Sequence, residues 1–146
     1  MRLLIDADGC PVVDICVTLA KKHQAECLIL CDTSHVFEKD GATTITISKG
    51  ADSVDFALVN MVQPGDIVVT QDYGLAAMAL AKRAVVLNQD GVEYTQFNID
   101  SMLNARHTAK KIRNAGGRIK GPPKRMTAQN EAFAAQLERL LMSTDS

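Results

Sequence analysis

Two short apolar runs each end within three residues in a carboxylate. Leu3-Leu4-Ile5 leads into Asp6 and Asp8, and Ile67-Val68-Val69 leads into Asp72. Strands of a parallel sheet are buried on both faces and so form continuous Val/Ile/Leu runs rather than alternating ones. In open α/β sheets, ligands occupy the crevice beyond the carboxyl ends of the strands. Carboxylates gathered there repel one another unless a cation lies between them, and a hard divalent ion that takes oxygen ligands suits the position.

The rest of the first 91 residues follows the same grammar. Residues 2–6 predict a first strand, and Pro11 opens a helix that runs to about residue 22. Residues 26–31 predict a second strand, and the β-branched TTITIS at 43–48 a third. A helix over 54–62 stops at Gln63-Pro64-Gly65. A strand over 66–70, an Ala-rich helix over 75–82 and a strand over 84–87 complete the series. The order β-α-β-β-α-β-α-β with short connections implies a mostly parallel central sheet with helices on both faces. Past Asp90-Gly91 the pattern changes to a helix over 99–113, a basic loop (GGRIKGPPKR) and a helix over 128–142. This is a C-terminal basic helix-loop-helix extension (92–146) on the α/β core (1–91). Phe133, Leu137, Leu140 and Leu141 line one face of the last helix, suited either to the core or to a dimer. With 146 residues and no long linker, a single domain is expected, its oligomeric state unspecified.

Composition narrows the partners. Through Ser101 there are fourteen acids and seven bases, a net of −7. From Met102 onward nine bases meet three acids, a net of +6. Between Arg106 and Arg125 there are eight Lys or Arg and no acid. Such a block is either a solvated helix face or a surface for phosphates and nucleic acid. Cys10, Cys16, Cys27 and Cys31 form no C-x-x-C pair, which argues against zinc and for buried, reduced thiols in a cytoplasmic protein. Cys10 is expected to be structural rather than reactive. No apolar stretch reaches the length of a secretory h-region or a membrane span, so no membrane partner is expected.

The acids are not equivalent. Asp6 ends a buried strand, where a carboxylate is costly without a partner. Asp8 lies two residues on, across a turn at Gly9. Asp52 and Asp55, spaced i, i+3 at the start of the second helix, can share one face. Asp52 and Asp72 also suit a helix N-cap. Asp14, Asp66 and Asp90 are expected at the surface or in turns, and His23, His35 and His107 at the surface.

Four motifs in order, DADGCPV, GADSVDFALV, VVTQDYGLA and GGRIKGPPK, resemble the YaiI/YqxD family of uncharacterised bacterial proteins (UPF0178) over nearly the whole chain. That resemblance implies a relation to PIN-like nuclease domains. In those domains an Asp ends the first strand, an acid lies on a middle helix, and a T-x-D follows an apolar strand. The matching residues here are Asp6, Asp55 and Thr70-Gln71-Asp72. The resemblance therefore implies a PIN-like fold with catalytic Asp6, Asp55 and Asp72. It also implies Mg²⁺ or Mn²⁺ held by these three together with Asp8 and Asp52, and hydrolysis of phosphodiesters, with RNA favoured over DNA. Many PIN nucleases carry a further acid just after the T-x-D. Here Tyr73, Gly74 and Leu75 follow, so either Asp8 or Asp52 compensates or the second metal position is weak.

Carboxylate-held metals suit phosphodiester hydrolysis because they lower the pKa of a water and neutralise the phosphate. Arg113, Arg118, Lys120, Lys124 and Arg125 would then contact the nucleic-acid backbone in a salt-sensitive way. With so few aromatics, backbone contact is expected over base reading. Two other readings stand beside the nuclease. One is a non-catalytic nucleic-acid-binding module. The other is a haloacid-dehalogenase-like phosphatase in which Asp6 of Asp6-Ala7-Asp8-Gly9 attacks phosphorus, although Cys10 replaces the usual Thr.

Overall fold

The computed structural model describes residues 2–8, 10–32, 39–47, 53–101 and 125–144, with backbone only for Ser53, Asp55 and Thr144. The strands are β1 (Arg2–Asp6), β2 (Glu26–Asp32), β3 (Thr43–Ile47), β4 (Ile67–Val69), β5 (Val85–Leu87) and β6 (Glu93–Tyr94). The helices are α1 (Val13–Lys22), α2 (Ser53–Met61), α3 (Tyr73–Ala81) and α4 (Thr127–Thr144), with a further helical segment at 96–101. Through β5 their order matches the one expected from sequence, with boundaries shifted by no more than two residues.

Among the described residues the strands form one sheet in the order β3-β2-β1-β4-β5-β6. Every pair is parallel except β5–β6. From β1 the chain steps outward to β2 and β3, then returns to the centre and continues through β4 and β5 on the other side. Crossovers in opposite directions put their helices on opposite faces when each is right-handed. That is the arrangement here. Leu3, Ile5, Ile29, Cys31, Ile67 and Val69 pack with α1 and with Phe133, Leu137 and Leu141 of α4. Leu4, Leu28, Leu30, Val68 and Val86 pack with Val54 and Leu58 of α2 and Leu75, Ala76 and Ala79 of α3. Neighbouring residues of one strand serve opposite faces, which is why the strands are apolar throughout.

α4 belongs to the core. Phe133 and Leu137 are fully buried, and Lys22 and His23 at the end of α1 meet Glu138 at 3.0 and 3.4 Å. His23 is thus a packed residue, with 13 % of its side chain exposed, rather than the surface residue expected. His35 and His107 lie outside the described residues. Gly91 holds φ +83, and a Cβ there would lie 2.8 Å from the Ala132 carbonyl oxygen, so a glycine lets the loop after β5 press against α4.

The sequence offered no hint of β6. Asp66 also departs from its expected place at the surface. The turn implied by Pro64-Gly65 is present, with Gly65 at φ +89, yet Asp66 is only 3 % exposed. It accepts from the Arg2 guanidinium at 2.9 Å, the Arg2 amide at 3.2 Å and the Gln63 amide at 2.9 Å. Only the pairing of β1 with β4 brings Arg2 within reach. The predicted helix over 99–113 begins earlier, at 96, and lies outside the described residues beyond 101.

Removing Asp66 would leave the Arg2 guanidinium half-buried without its counter-charge. Asp66→Ala should therefore lower unfolding free energy by about 2–3 kcal/mol, less than for a fully buried pair because Arg2 retains solvent contact. Urea denaturation reads this directly. A loss below about 0.5 kcal/mol, the scale of an ordinary surface substitution, would mean that the pair does not brace the sheet.

Candidate functional site at the carboxyl edge of the sheet

The chain reverses its direction across the sheet between β1 and β4, and a switch point of this kind opens a crevice at the carboxyl ends of the two strands. Asp6 closes β1 there, and Thr70 follows β4 directly. The Thr70 hydroxyl donates to Asp6 Oδ2 at 2.8 Å and accepts from the Asp72 amide at 3.0 Å. One buried hydroxyl thereby fixes a carboxylate on β1 and the backbone that presents a second one after β4. Thr70 is 1 % exposed, and its amide donates to the Leu87 carbonyl at 3.0 Å, which ties the turn to β5 as well.

Asp72 is the N-cap of α3, with extended backbone and Oδ1 accepting from the Leu75 amide at 3.0 Å. Its capping role and its place at the site are compatible, since each carboxylate oxygen accepts more than one hydrogen bond. Asp8 lies in the turn after β1 with Oδ1 buried. Asp55 occupies the first turn of α2, which follows β3, and only its backbone is described. Asp52 lies outside the described residues, as do Arg113, Arg118, Lys120 and Lys124. Asp6, Thr70 and Asp72 are therefore directly linked. Among the described residues, no group of three or more His, Cys, Asp or Glu is arranged to hold a metal ion.

Arg125 stands at the start of α4, and its guanidinium is already engaged. Nε donates to Asn130 Oδ1 at 2.7 Å, Nη1 to Asp90 Oδ1 at 2.8 Å, and Nη2 to the Gln89 carbonyl. Asp90 is a turn residue as expected. Its amide and that of Val92 both donate to Asn88 Oδ1, at 2.8 and 2.9 Å. The residues that sequence reasoning missed are Asn130, Gln89 and Tyr94. Only the Asn88-x-Asp90-Gly91 turn signal pointed to this corner.

Tyr94 of β6 is buried, and its hydroxyl donates to the Thr70 carbonyl at 3.4 Å. Its ring meets Tyr73 edge-on, with centroids 6.0 Å apart. Burial pushes its phenol well above the ordinary range, with Tyr73, Asp72 and Asp90 adding to the effect. It thus stays protonated and acts as a donor.

The cysteines are free thiols, three of them buried and Cys10 half-buried. Burial raises Cys16 well above its ordinary value and Cys27 to about 11. Cys10 is also raised, chiefly by burial, which outweighs the lowering hydrogen bond from the Val12 amide; Asp6 adds a smaller raising effect and Arg125 a still smaller lowering one. A protonated thiol is a poor nucleophile, so the structural role expected for Cys10 agrees with its setting.

Comparisons with known proteins place this arrangement in a family. The model of the uncharacterised bacterial YaiI/YqxD family matches residues 4–143. This chain belongs to that family. A UPF0178 protein of Exiguobacterium sibiricum is 52 % identical over 141 residues, covering 97 % of this chain and 96 % of its own. One from Ruminiclostridium cellulolyticum is 52 % identical over 137 residues, covering 94 % and 90 %. One from Clostridium acetobutylicum is 46 % identical over 144 residues, covering 97 % of each. No solved structure matches the chain. No helix among the described residues is long and apolar enough to cross a membrane.

The thiol environments give a direct check. In the native protein a disulfide reagent should modify one thiol, Cys10, more slowly at neutral pH than a free cysteine, and Cys10→Ser should remove the reaction. Rapid modification of two or more thiols in the folded protein would contradict the burial of Cys16, Cys27 and Cys31.

Proposed function

We propose that this protein is a metal-dependent nuclease with a PIN-like site, acting on RNA in preference to DNA. The observation that carries this reading is the Asp6–Thr70–Asp72 linkage at the switch point of the sheet. A hydroxyl that donates to the Asp6 carboxylate and accepts from the Asp72 backbone amide ties the two positions together at one edge of the sheet. Carboxylates that ligate a metal are commonly held by outer hydrogen bonds of this kind.

An all-carboxylate, all-oxygen donor set fits a hard cation such as Mg²⁺ or Mn²⁺. Asp6 and Asp72 would hold it, joined by Asp8, Asp52 and Asp55. Asp52 or Asp55 would complete a set that Asp6, Asp8 and Asp72 do not form alone. When bound, the ion supplies a water of lowered pKa and a counter-charge for the phosphate. The chain itself holds the Asp6 carboxylate through Thr70, keeps Asp72 at the mouth of α3, and backs the turn with the neutral Tyr94 hydroxyl. The basic residues Arg113, Arg118, Lys120 and Lys124 would neutralise the substrate backbone, with an affinity that falls as salt rises.

A second reading, a nucleic-acid-binding module without catalysis, draws on the N-cap bond of Asp72. That bond gives the carboxylate a structural reason to be where it is. The two readings differ in their response to metal. End-labelled, mixed-sequence RNA should be cut in Mg²⁺ or Mn²⁺, spared in EDTA, and spared by Asp6→Asn. Thr70→Val, which keeps the shape but loses the hydroxyl, should retain activity lowered by about 10- to 100-fold. Wild-type protein that binds RNA without cutting it in either metal would favour the module. Equal cutting by wild type and Asp6→Asn would reject Asp6 as a ligand.

A further inference from the structure

Arg125 closes the segment 106–125, in which eight bases occur without an acid. Composition alone would make it one more phosphate contact. Its surroundings say otherwise. Three acceptors from two separate pieces of chain surround the guanidinium: the Gln89 carbonyl and Asp90 Oδ1 beyond β5, and Asn130 Oδ1 on α4. Gln129 Nε2 donates to the same Asp90 oxygen at 3.3 Å, and the Met126 amide donates to Gln129 Oε1 at 2.6 Å. The positive charge of Arg125 is therefore met by Asp90, and the planar fork is held in one orientation. The junction sits at the carboxyl end of β5, on the edge that carries Asp6 and Thr70, within electrostatic reach of Cys10.

We propose that Arg125 is a positioning residue, a latch to Gln89, Asp90 and Asn130 that fixes the end of the basic segment at the carboxyl edge of the sheet beside Asp6 and Thr70. This inference rests on the nucleic-acid reading above and deepens it, since it names the residue that sets where the substrate backbone crosses the site. Whatever path the preceding bases follow, their carboxyl-terminal end is tied to the loop that leaves β5. Asp90, an acid inside a phosphate-binding region, has its reason here. It would lower affinity by repulsion as a bystander, but it raises affinity as the anchor of the latch.

The sign of the Asp90 effect makes the test. The full-length protein is titrated with end-labelled single-stranded RNA in EDTA across a range of KCl concentrations, so that binding is read without cleavage. Each phosphate contact to a single strand contributes about 0.7 to the slope of log affinity against log salt. With the latch broken, Arg125→Gln and Asp90→Ala should each weaken binding by about tenfold and reduce the slope by more than about 1.4, the equivalent of two contacts. Arg125→Lys keeps the charge but lacks the planar fork whose three separate nitrogens reach the three acceptors, and should fail to restore either quantity. Asn130→Ala removes one acceptor and should shift both in the same direction by less. Melting curves accompany each variant, and α4 should stay docked through Phe133, Leu137 and Leu141.

An Arg125→Gln slope reduced by about 0.7, with Asp90→Ala unchanged or tighter, would make Arg125 an ordinary phosphate contact and overturn the latch alone. Wild-type protein that does not bind RNA at any salt concentration would overturn the latch together with the nucleic-acid reading.

Discussion

Everything at the site depends on the pairing of β1 with β4, the two strands on either side of the point where the chain changes direction across the sheet. The ladder there is short, matching only Leu3, Leu4 and Ile5 with Ile67, Val68 and Val69. Side chains brace it at both ends. At the amino end Arg2 on β1 is paired with Asp66 before β4, and at the carboxyl end Asp6 accepts from Thr70 after β4. Both links join residues 64 positions apart in the chain. Each closes a long loop for the same ordering cost, since the entropy of loop closure grows only slowly with length. The two links differ in kind. The first neutralises a charge pair shielded by the sheet. The second ties a carboxylate at the end of β1 to the turn that follows β4.

The electrostatics of the carboxyl edge follow from this geometry. Asp6, Asp8 and Asp72 follow strands joined by the central ladder, so the fold keeps them on one edge of the sheet. The Thr70 hydroxyl orients Asp6 and the Leu75 amide orients Asp72, while the Arg125 guanidinium is paired with Asp90 beyond β5. Tyr94 completes the arrangement from outside the central strands. Buried and protonated, it places a neutral donor on the Thr70 carbonyl and so holds the turn without adding a charge that would compete for the carboxylates.

The path of the chain was legible from sequence because a parallel sheet writes its strands as apolar runs that end in punctuation. Leu3-Leu4-Ile5-Asp6 and Ile67-Val68-Val69-Thr70 needed no tertiary context to be read as strand ends. β6 was not legible, since two residues, Glu93 and Tyr94, carry no period and pair only because β5 offers a free edge. Asp66 was misread for a related reason. Its neighbours Pro64 and Gly65 describe a turn correctly, but burial was decided by Arg2, and nothing local connects residues 2 and 66. The candidate site divides along the same line. Asp6 and Asp72 are visible as carboxylates at strand ends, whereas the hydroxyl that joins them matters only once β1 and β4 are adjacent.

The C-terminal segment carries this argument furthest. By composition, the residues beyond Gly91 form a basic extension, separable from an acidic core. The packing joins the two. Phe133 and Leu137 fill the face opposite α2 and α3, Gly91 admits the α4 backbone at a distance no side chain would allow, and Arg125 bonds to the loop that leaves β5. A helix held only by its apolar face can rotate or slide by a fraction of a turn at modest cost. Three directional bonds to one guanidinium fix its register at the end nearest the site. Charge asymmetry along the sequence thus becomes spatial order, with the acids at the strand ends and the last residue of the basic segment locked beside them. The apolar face of α4 supplies the stability of that arrangement, and the polar junction of Arg125 with Gln89, Asp90 and Asn130 supplies the alignment.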